Sequence, residues 1–122
     1  MSPRPGIELA NLSDTGCVRE QNEDYYCYLE PESDADFFRN GRLAIVADGM
    51  GGYEGGQVAS SIAVETVRSV YESYAGDDPH ESILNGFKAA GAAIRQYIRA
   101  HPDLEGMGTI CTAAVIRGHE LF

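Results

Sequence analysis

The hydrophobic and polar positions in the first half of the chain predict three strands and one loop. Residues 7–13 begin by alternating apolar and polar side chains, which predicts a strand with one solvent-exposed face. Residues 25–29 are rich in aromatic side chains and predict a second strand. The acidic stretch 30–36 contains a proline and predicts a loop. The continuous apolar run over 43–47 predicts a strand that is buried on both faces.

Two helices are predicted in the middle of the chain. Between residues 58 and 74, apolar side chains recur every three or four positions, which predicts one helix, and Gly76 is placed to end it. We expect a second helix after Asp78, which can cap it, with Pro79 in the first turn. Its apolar side chains step by three or four positions until the chain reaches His101.

The last segment predicts one further strand and the start of another. Residues 109–116 are rich in β-branched side chains, and Leu121 and Phe122 follow a turn at 118–120, as if the sequence stopped within a hairpin. The predicted order is β-β-β-α-α-β, which belongs to the α+β class. The two helices, joined by a short turn, should pack as an antiparallel pair against a sheet.

Charge and composition narrow the classes of function. The chain has 19 acidic and 9 basic residues and a net charge of −10, which repels nucleic acid and anionic lipid. No segment approaches the ~18 consecutive apolar residues of a membrane span, and the first residues lack the apolar run of a signal peptide. The cysteines, at 17, 27 and 111, form no CxxC pair, which favours a reducing compartment. We therefore expect a cytoplasmic protein that binds neither nucleic acid nor membrane.

The first candidate site lies where the apolar strand ends. Asp48 terminates that strand, and five glycines follow within eight residues, at positions 49, 51, 52, 55 and 56. Glycine lets the backbone turn sharply and approach a ligand closely, so the stretch suits a metal site or a phosphate cradle. It lacks the Lys-Ser/Thr ending of a P-loop, and the carboxylate favours a hard cation such as Mg²⁺ or Mn²⁺. The alternative is a tight turn in which Asp48 caps the next helix.

The second candidate site is a polar segment at residues 13–24. Glu23 and Asp24 are adjacent acids, and Arg19 lies a few residues before them. Taken alone, this segment is also typical of a solvated loop that contains an ion pair. Its significance depends on the motifs that accompany it.

Three motifs, in this order, resemble the metal-dependent PPM/PP2C family of protein serine/threonine phosphatases, and most closely its bacterial branch. They are Arg-x-x-Asn-Glu-Asp at 19–24, Val-Ala-Asp-Gly-Met-Gly-Gly at 46–52 with Ala-Ser at 59–60, and Gly-Met-Gly-Thr at 106–109. The resemblance implies an α-β-β-α sandwich of two antiparallel sheets with flanking helix pairs. The predicted element order fits its first half, so residues 1–122 would be the N-terminal portion of one such domain.

The resemblance also implies an activity and a set of roles. The family hydrolyses phosphoserine and phosphothreonine in proteins, with a bridging water activated by two Mn²⁺ or Mg²⁺ ions. Asp48 would bridge both ions, and the carbonyl of Gly49 would bind one of them. Glu23 would be a ligand directly or through water, and Asp24 would support the site through water or hydrogen bonds. Arg19 would bind the substrate phosphate with its planar guanidinium.

The sequence departs from the family pattern where an acid catalyst is expected. Eukaryotic members have a histidine at the position of Met50, and bacterial members often have one at the position of Tyr53. The proton donor is therefore unassigned, and a metal-bound water is the simplest candidate. The remaining motif, at 106–109, is expected to be structural, with glycines that allow close packing at the start of a strand. The histidines are expected on the surface, at positions 80, 101 and 119.

The second departure is length. Domains of the family are longer than this chain and carry further aspartates that complete the metal site. An alternative function is therefore a non-catalytic, phosphatase-like fragment that binds a partner or self-associates through open sheet edges.

Overall fold

The computed structural model describes residues 4–8, 24–50 and 52–122. These residues form four strands, three α-helices and a short 3₁₀ turn, in the order β1 Asp24–Leu29, α1 Asp34–Asn40, β2 Arg42–Met50, α2 Gly52–Ser73, α3 Pro79–Ala100, the turn Pro102–Leu104, β3 Gly108–Arg117 and β4 Glu120–Leu121. The strands make one antiparallel sheet in the order β1-β2-β3-β4. The predicted α+β class is confirmed.

Three predicted strands are confirmed, and the hairpin expected at the end of the chain is present. The aromatic run forms β1, the apolar run forms the centre of β2, and the β-branched run forms β3, which turns back into β4. The strand predicted over residues 7–13 lies outside the described residues from residue 9 onward. Residues 7 and 8 belong to neither a helix nor a strand.

The loop predicted over residues 30–36 is wrong in its second half, because α1 begins at Asp34. The hydroxyl of Ser33 caps this helix by accepting a hydrogen bond from the amide of Asp36 at 3.0 Å. The acidic side chains that suggested a loop lie in the first turn, where the helix dipole favours negative charge. Gly41, at φ 75°, ends the helix.

The core lies between the sheet and α2. Every second residue of β2 points towards the helices, and the inward side chains of Leu43, Ile45 and Ala47 are fully buried. They pack with side chains of α2, β3 and α3, namely Ala63, Val64, Val67, Tyr71, Ala90 and Val115. The prediction that β2 is buried on both faces is not met within the described residues, because Val46 is 58% exposed.

The helix pair is confirmed, but α2 begins earlier than its apolar pattern predicted. It begins at Gly52, so the glycine-rich stretch forms its first turns. The predicted start of α3 is confirmed, since the carboxylate of Asp78 accepts a hydrogen bond from the amide of His80 at 3.0 Å. The helices pack closely at Gly86, where an added Cβ would lie 3.2 Å from the Cα of Val67.

The face of the sheet that points away from the helices is exposed and largely apolar within the described part of the chain. We call it the outer face, and its exposed apolar side chains are Tyr26, Val46, Met50, Ile110, Ile116 and Leu121. The described residues form a single sheet, so the second sheet of the expected sandwich is not among them. Among the same residues, no helix is both long and apolar enough to cross a membrane.

Candidate functional site

The strand register brings two of the predicted site residues together. Asp24 begins β1, Asp48 lies near the end of β2, and the two are direct partners across the antiparallel pair. Residues opposed in this way have Cβ atoms about 4.5–5.5 Å apart. Both aspartates are partly buried, and the alternation of each strand places them on the outer face. Arg19 and Glu23 lie outside the described residues, so their roles remain predictions.

The donor set at this end of the sheet suits a hard cation. Two opposed carboxylates provide oxygen ligands of the kind that Mg²⁺ and Mn²⁺ prefer. Within residues 4–8, 24–50 and 52–122, however, no group of three or more His, Cys, Asp or Glu side chains could hold a metal ion. The described residues therefore bring together two carboxylates of the predicted site and no complete set of ligands. Glu23, which directly precedes Asp24, remains the predicted addition.

The glycines after Asp48 pack backbone against backbone. A Cβ at Gly49 would lie 2.7 Å from the Cα of Gly56 and closer still to its carbonyl group. A Cβ at Gly55 would lie 3.1 Å from the Cβ of Met107. The sequence suggested that these glycines let the backbone approach a ligand. For Gly49 and Gly55, the structure shows a different requirement, the close approach of α2 to the strand ends.

Two hydroxyl groups that sequence reasoning did not assign to the site form a chain that ends on its backbone. The hydroxyl of Thr109 donates a hydrogen bond to the carbonyl oxygen of Asp48 at 3.0 Å. The hydroxyl of Ser60, which is fully buried in α2, lies 3.2 Å from that of Thr109. The only sequence signal for these contacts was that both residues belong to the recognised motifs.

The glycines around Thr109 have different roles from the predicted one. Gly106 has φ +95°, and an added Cβ would meet nothing within 4 Å, so it serves a turn and not close packing. Gly108 faces Met50, whose Cγ would lie 3.5 Å from an added Cβ. The expected structural role of the segment is thus correct in kind. The predicted reason, close packing, is wrong for Gly106.

None of the described histidines lies on β1 or β2, the strands that carry the two aspartates. His80 lies in the first turn of α3, His101 follows its last turn, and His119 lies in the β3–β4 turn, all exposed as expected. Met50 lies on the outer face and is 45% exposed. A thioether cannot donate a proton, so the proton donor stays unassigned among the described residues.

The described cysteines are poor candidates for nucleophiles. Cys27 and Cys111 both point towards the helices and pack against the core. Burial raises the pKa of the Cys27 thiol and that of the Cys111 thiol. Both are therefore neutral thiols at pH 7, whereas a reactive cysteine needs a lowered pKa.

Comparison with known proteins identifies the family. The family described as protein phosphatase 2C matches residues 20–122. The serine/threonine protein phosphatase PstP of Mycobacterium tuberculosis H37Rv is 33% identical over 115 residues, which is 94% of this chain and 20% of PstP. The serine/threonine phosphatase stp of Listeria welshimeri is 30% identical over 108 residues, which is 85% of this chain and 40% of that protein.

A solved structure agrees with these matches. The catalytic domain of PstP, crystallised in complex with two manganese ions, has a TM-score of 0.70 and 33% identity. The match covers 90% of this chain and 43% of that domain. The chain thus spans less than half the length of these relatives. The match over residues 20–122 and the shared fold establish that the chain belongs to the protein phosphatase 2C family.

Proposed function

We propose that the protein containing this chain hydrolyses phosphoserine and phosphothreonine in proteins, with Mn²⁺ or Mg²⁺ as its cofactor. The observation that carries the proposal is the opposition of Asp24 and Asp48 on the outer face of the sheet, in a chain of this family. The manganese-bound PstP domain supports the choice of cation. The proposed substrate is a phosphorylated cytoplasmic protein, and neither nucleic acid nor membrane is a proposed partner.

Each residue has a distinct role in this proposal. Asp48, the carbonyl oxygen of Gly49 and Glu23 would hold the cations, and Asp24 would support the site beside Asp48. Arg19 binds two phosphate oxygens through its planar fork and so orients the phosphorus. When bound, the cations supply positive charge to the phosphate and a water acidic enough to provide a nucleophile at neutral pH.

The test is Asp48→Asn in the full-length protein, with Asp103→Asn as the matched control at an exposed position of the 3₁₀ turn. Calorimetric titration should show Mn²⁺ affinity lowered by more than about 100-fold, because outer-shell partners alone contribute about 10- to 100-fold. Hydrolysis of a phosphopeptide should be lost, while thermal unfolding in EDTA should stay cooperative. A D48N variant with near-normal hydrolysis would refute the site.

A second candidate function rests on the outer face. Its exposed apolar side chains, together with the edge strand β1 of the described sheet, would suit a phosphatase-like module that binds another protein or a second copy of itself. Light scattering on the same sample separates the candidates. A dimer that is inactive towards phosphopeptides and dissociates in a Val46→Glu variant would favour the binding module.

A further inference from the structure

The hydroxyl groups of Ser60 and Thr109 form a directional chain that ends on the backbone at Asp48. A threonine hydroxyl has one proton, and that of Thr109 is donated to the carbonyl oxygen of Asp48 at 3.0 Å. In the 3.2 Å contact between the two hydroxyls, Ser60 must therefore be the donor. The chain connects α2, β3 and β2 at one point.

Ser60 differs from Ser73 and Ser82, two other serines in the helices. The hydroxyl of Ser73, also in α2, donates to the carbonyl of Ser69 one turn earlier at 3.0 Å, which is the usual local bond. The hydroxyl of Ser82 is buried in α3 and has no protein partner. Ser60 is fully buried and instead reaches across to another element. Its hydroxyl is directed at the site.

The peptide that this chain reaches needs to be held. Asp48 and Gly49 share one peptide group, which joins two expected cation ligands, a side chain and a carbonyl. Gly49 lacks a Cβ and is intrinsically permissive in φ and ψ. The backbone of Gly56 closes one side of Gly49. Thr109 on β3 is the partner of Gly49 across the β2–β3 pair, and its hydroxyl holds the carbonyl of Asp48 on β2 by a hydrogen bond.

We infer that Ser60 and Thr109 are positioning residues, which hold the Asp48–Gly49 peptide in the orientation that cation binding requires. Neither residue touches the substrate or supplies a ligand in this scheme. The inference rests on the proposed metal site, because it concerns the ligands of that site. It assigns a reason to the threonine of the Gly-Met-Gly-Thr motif and to the serine at position 60.

The test compares Thr109→Val with Thr109→Ser in the full-length protein. Valine keeps the β-branched shape and removes the hydroxyl, whereas serine restores it. We expect T109V to weaken Mn²⁺ binding about 10-fold, the lower end of the effect of an outer-shell partner. T109S should bind nearly as the wild type does. Ser60→Ala should act in the same direction by a smaller factor, and Ser82→Ala, the matched buried serine, should have no effect.

A second readout works without metal. Asp48–Gly49 is the only Asp-Gly step in this sequence, so labelling with carbonyl-¹³C aspartate and ¹⁵N glycine selects this peptide together with any Asp-Gly step elsewhere in the full-length protein. The signal that disappears in D48N is the signal of interest. Loss of a hydrogen bond at the Asp48 carbonyl should move its ¹³C resonance upfield in T109V and leave it in place in T109S and S82A.

The outcomes separate the inference from the proposed function. Wild-type Mn²⁺ affinity in T109V overturns the inference and leaves the metal site intact. If the wild type binds no Mn²⁺, the proposed function fails. The metal-free Asp48 signal then tests the inference by itself. An unmoved resonance in T109V would show that the Thr109 hydroxyl does not hold the peptide. A 10-fold weaker affinity with an upfield shift, both reversed in T109S, supports it.

Discussion

The two ends of the β1–β2 pair place their acidic side chains in different surroundings. At one end, which we call the closed end, Glu30 follows β1 and Arg42 begins β2. The Glu30 carboxylate is buried, lies 3.2 Å from the Arg42 guanidinium, and accepts hydrogen bonds from the backbone amide of Arg4 at 2.8 and 2.9 Å. The guanidinium groups of Arg4 and Arg42 also lie over the ring of Phe37. The chain neutralises this carboxylate itself.

At the other end, the acidic end, Asp24 and Asp48 oppose each other on the same two strands. Like charges directly opposite across an antiparallel pair lower stability unless positive charge compensates them. The ladder is the same at both ends, so its backbone does not explain the difference. The closed end pairs its buried carboxylate with Arg42, whereas the acidic end places two acids of the proposed cation site opposite each other.

The largest effect on stability is expected at the closed end. Glu30→Ala should lower the free energy of unfolding by about 3 kcal/mol, because removing one partner of a buried pair leaves the other charge uncompensated. Urea denaturation measures it. Glu120→Ala, which removes an exposed pair with Arg117, is the control and should change stability by less than about 1 kcal/mol. Equal effects of the two substitutions would contradict the stabilising role of the buried Glu30–Arg42 pair.

The next effect is expected at the acidic end and comes from packing. Gly49→Ala should cost about 1–3 kcal/mol, because a methyl group there meets the backbone of Gly56, which cannot move aside as a flexible side chain does. Gly91→Ala is the control within α3. Its Cβ meets only the end of Arg95, so it should raise stability by about 0.5–1 kcal/mol. Thermal unfolding of both variants shows whether each substitution lowers or raises stability. A G49A variant with unchanged stability would contradict the close packing.

The smallest effect concerns Tyr71, near the closed end. Its buried hydroxyl has one proton to donate and lies against two carbonyl oxygens, that of Asn40, at 3.1 Å, and that of Gly41. Tyr71→Phe should cost about 1 kcal/mol at neutral pH. Denaturation at a series of pH values measures this effect.

Tyr71 should also make stability depend on alkaline pH. Burial raises its pKa above the ordinary value of 10.0, so the folded state holds this proton more tightly than the unfolded state does. Stability from this group is therefore complete below pH 10 and is lost as the pH rises further. Y71F should show a shallower alkaline loss than Tyr26→Phe, an exposed control on the outer face. Parallel losses would contradict this role.

Local sequence signals predicted the parts of the fold that local interactions determine. The strand over residues 25–29 and the cap at Asp78 were both predicted correctly, because the strand preference of aromatic residues and helix capping depend on residues close in sequence. The helix at Asp34 was missed, because acidic residues favour loops and first helical turns alike. The start of α2 at Gly52 was missed, because tertiary packing of the glycines overrides their poor helix propensity.

The sequence predicted which residues form the candidate site, but not the hydrogen bonds that hold its backbone in place. Asp48 was recognised because an acid that ends an apolar strand is unusual, and the register then placed Asp24 beside it. The contacts of Ser60 and Thr109 with the site could not be predicted, since no local pattern reveals a bond across 61 positions. The roles of Arg19 and Glu23 remain predictions.

The hydrogen bond from Thr109 to Asp48 also has a consequence for the order of folding. The Asp24–Asp48 pairing belongs to a local hairpin, which can close early because little loop entropy is lost. The bond from Thr109 closes a loop that contains the whole α2–α3 pair. The backbone at Asp48 thus acquires its final support only when the helical pair has docked and β3 has joined the sheet. A nascent chain in which only β1 and β2 have formed would already place the two acids side by side, and we expect it to bind cations only weakly.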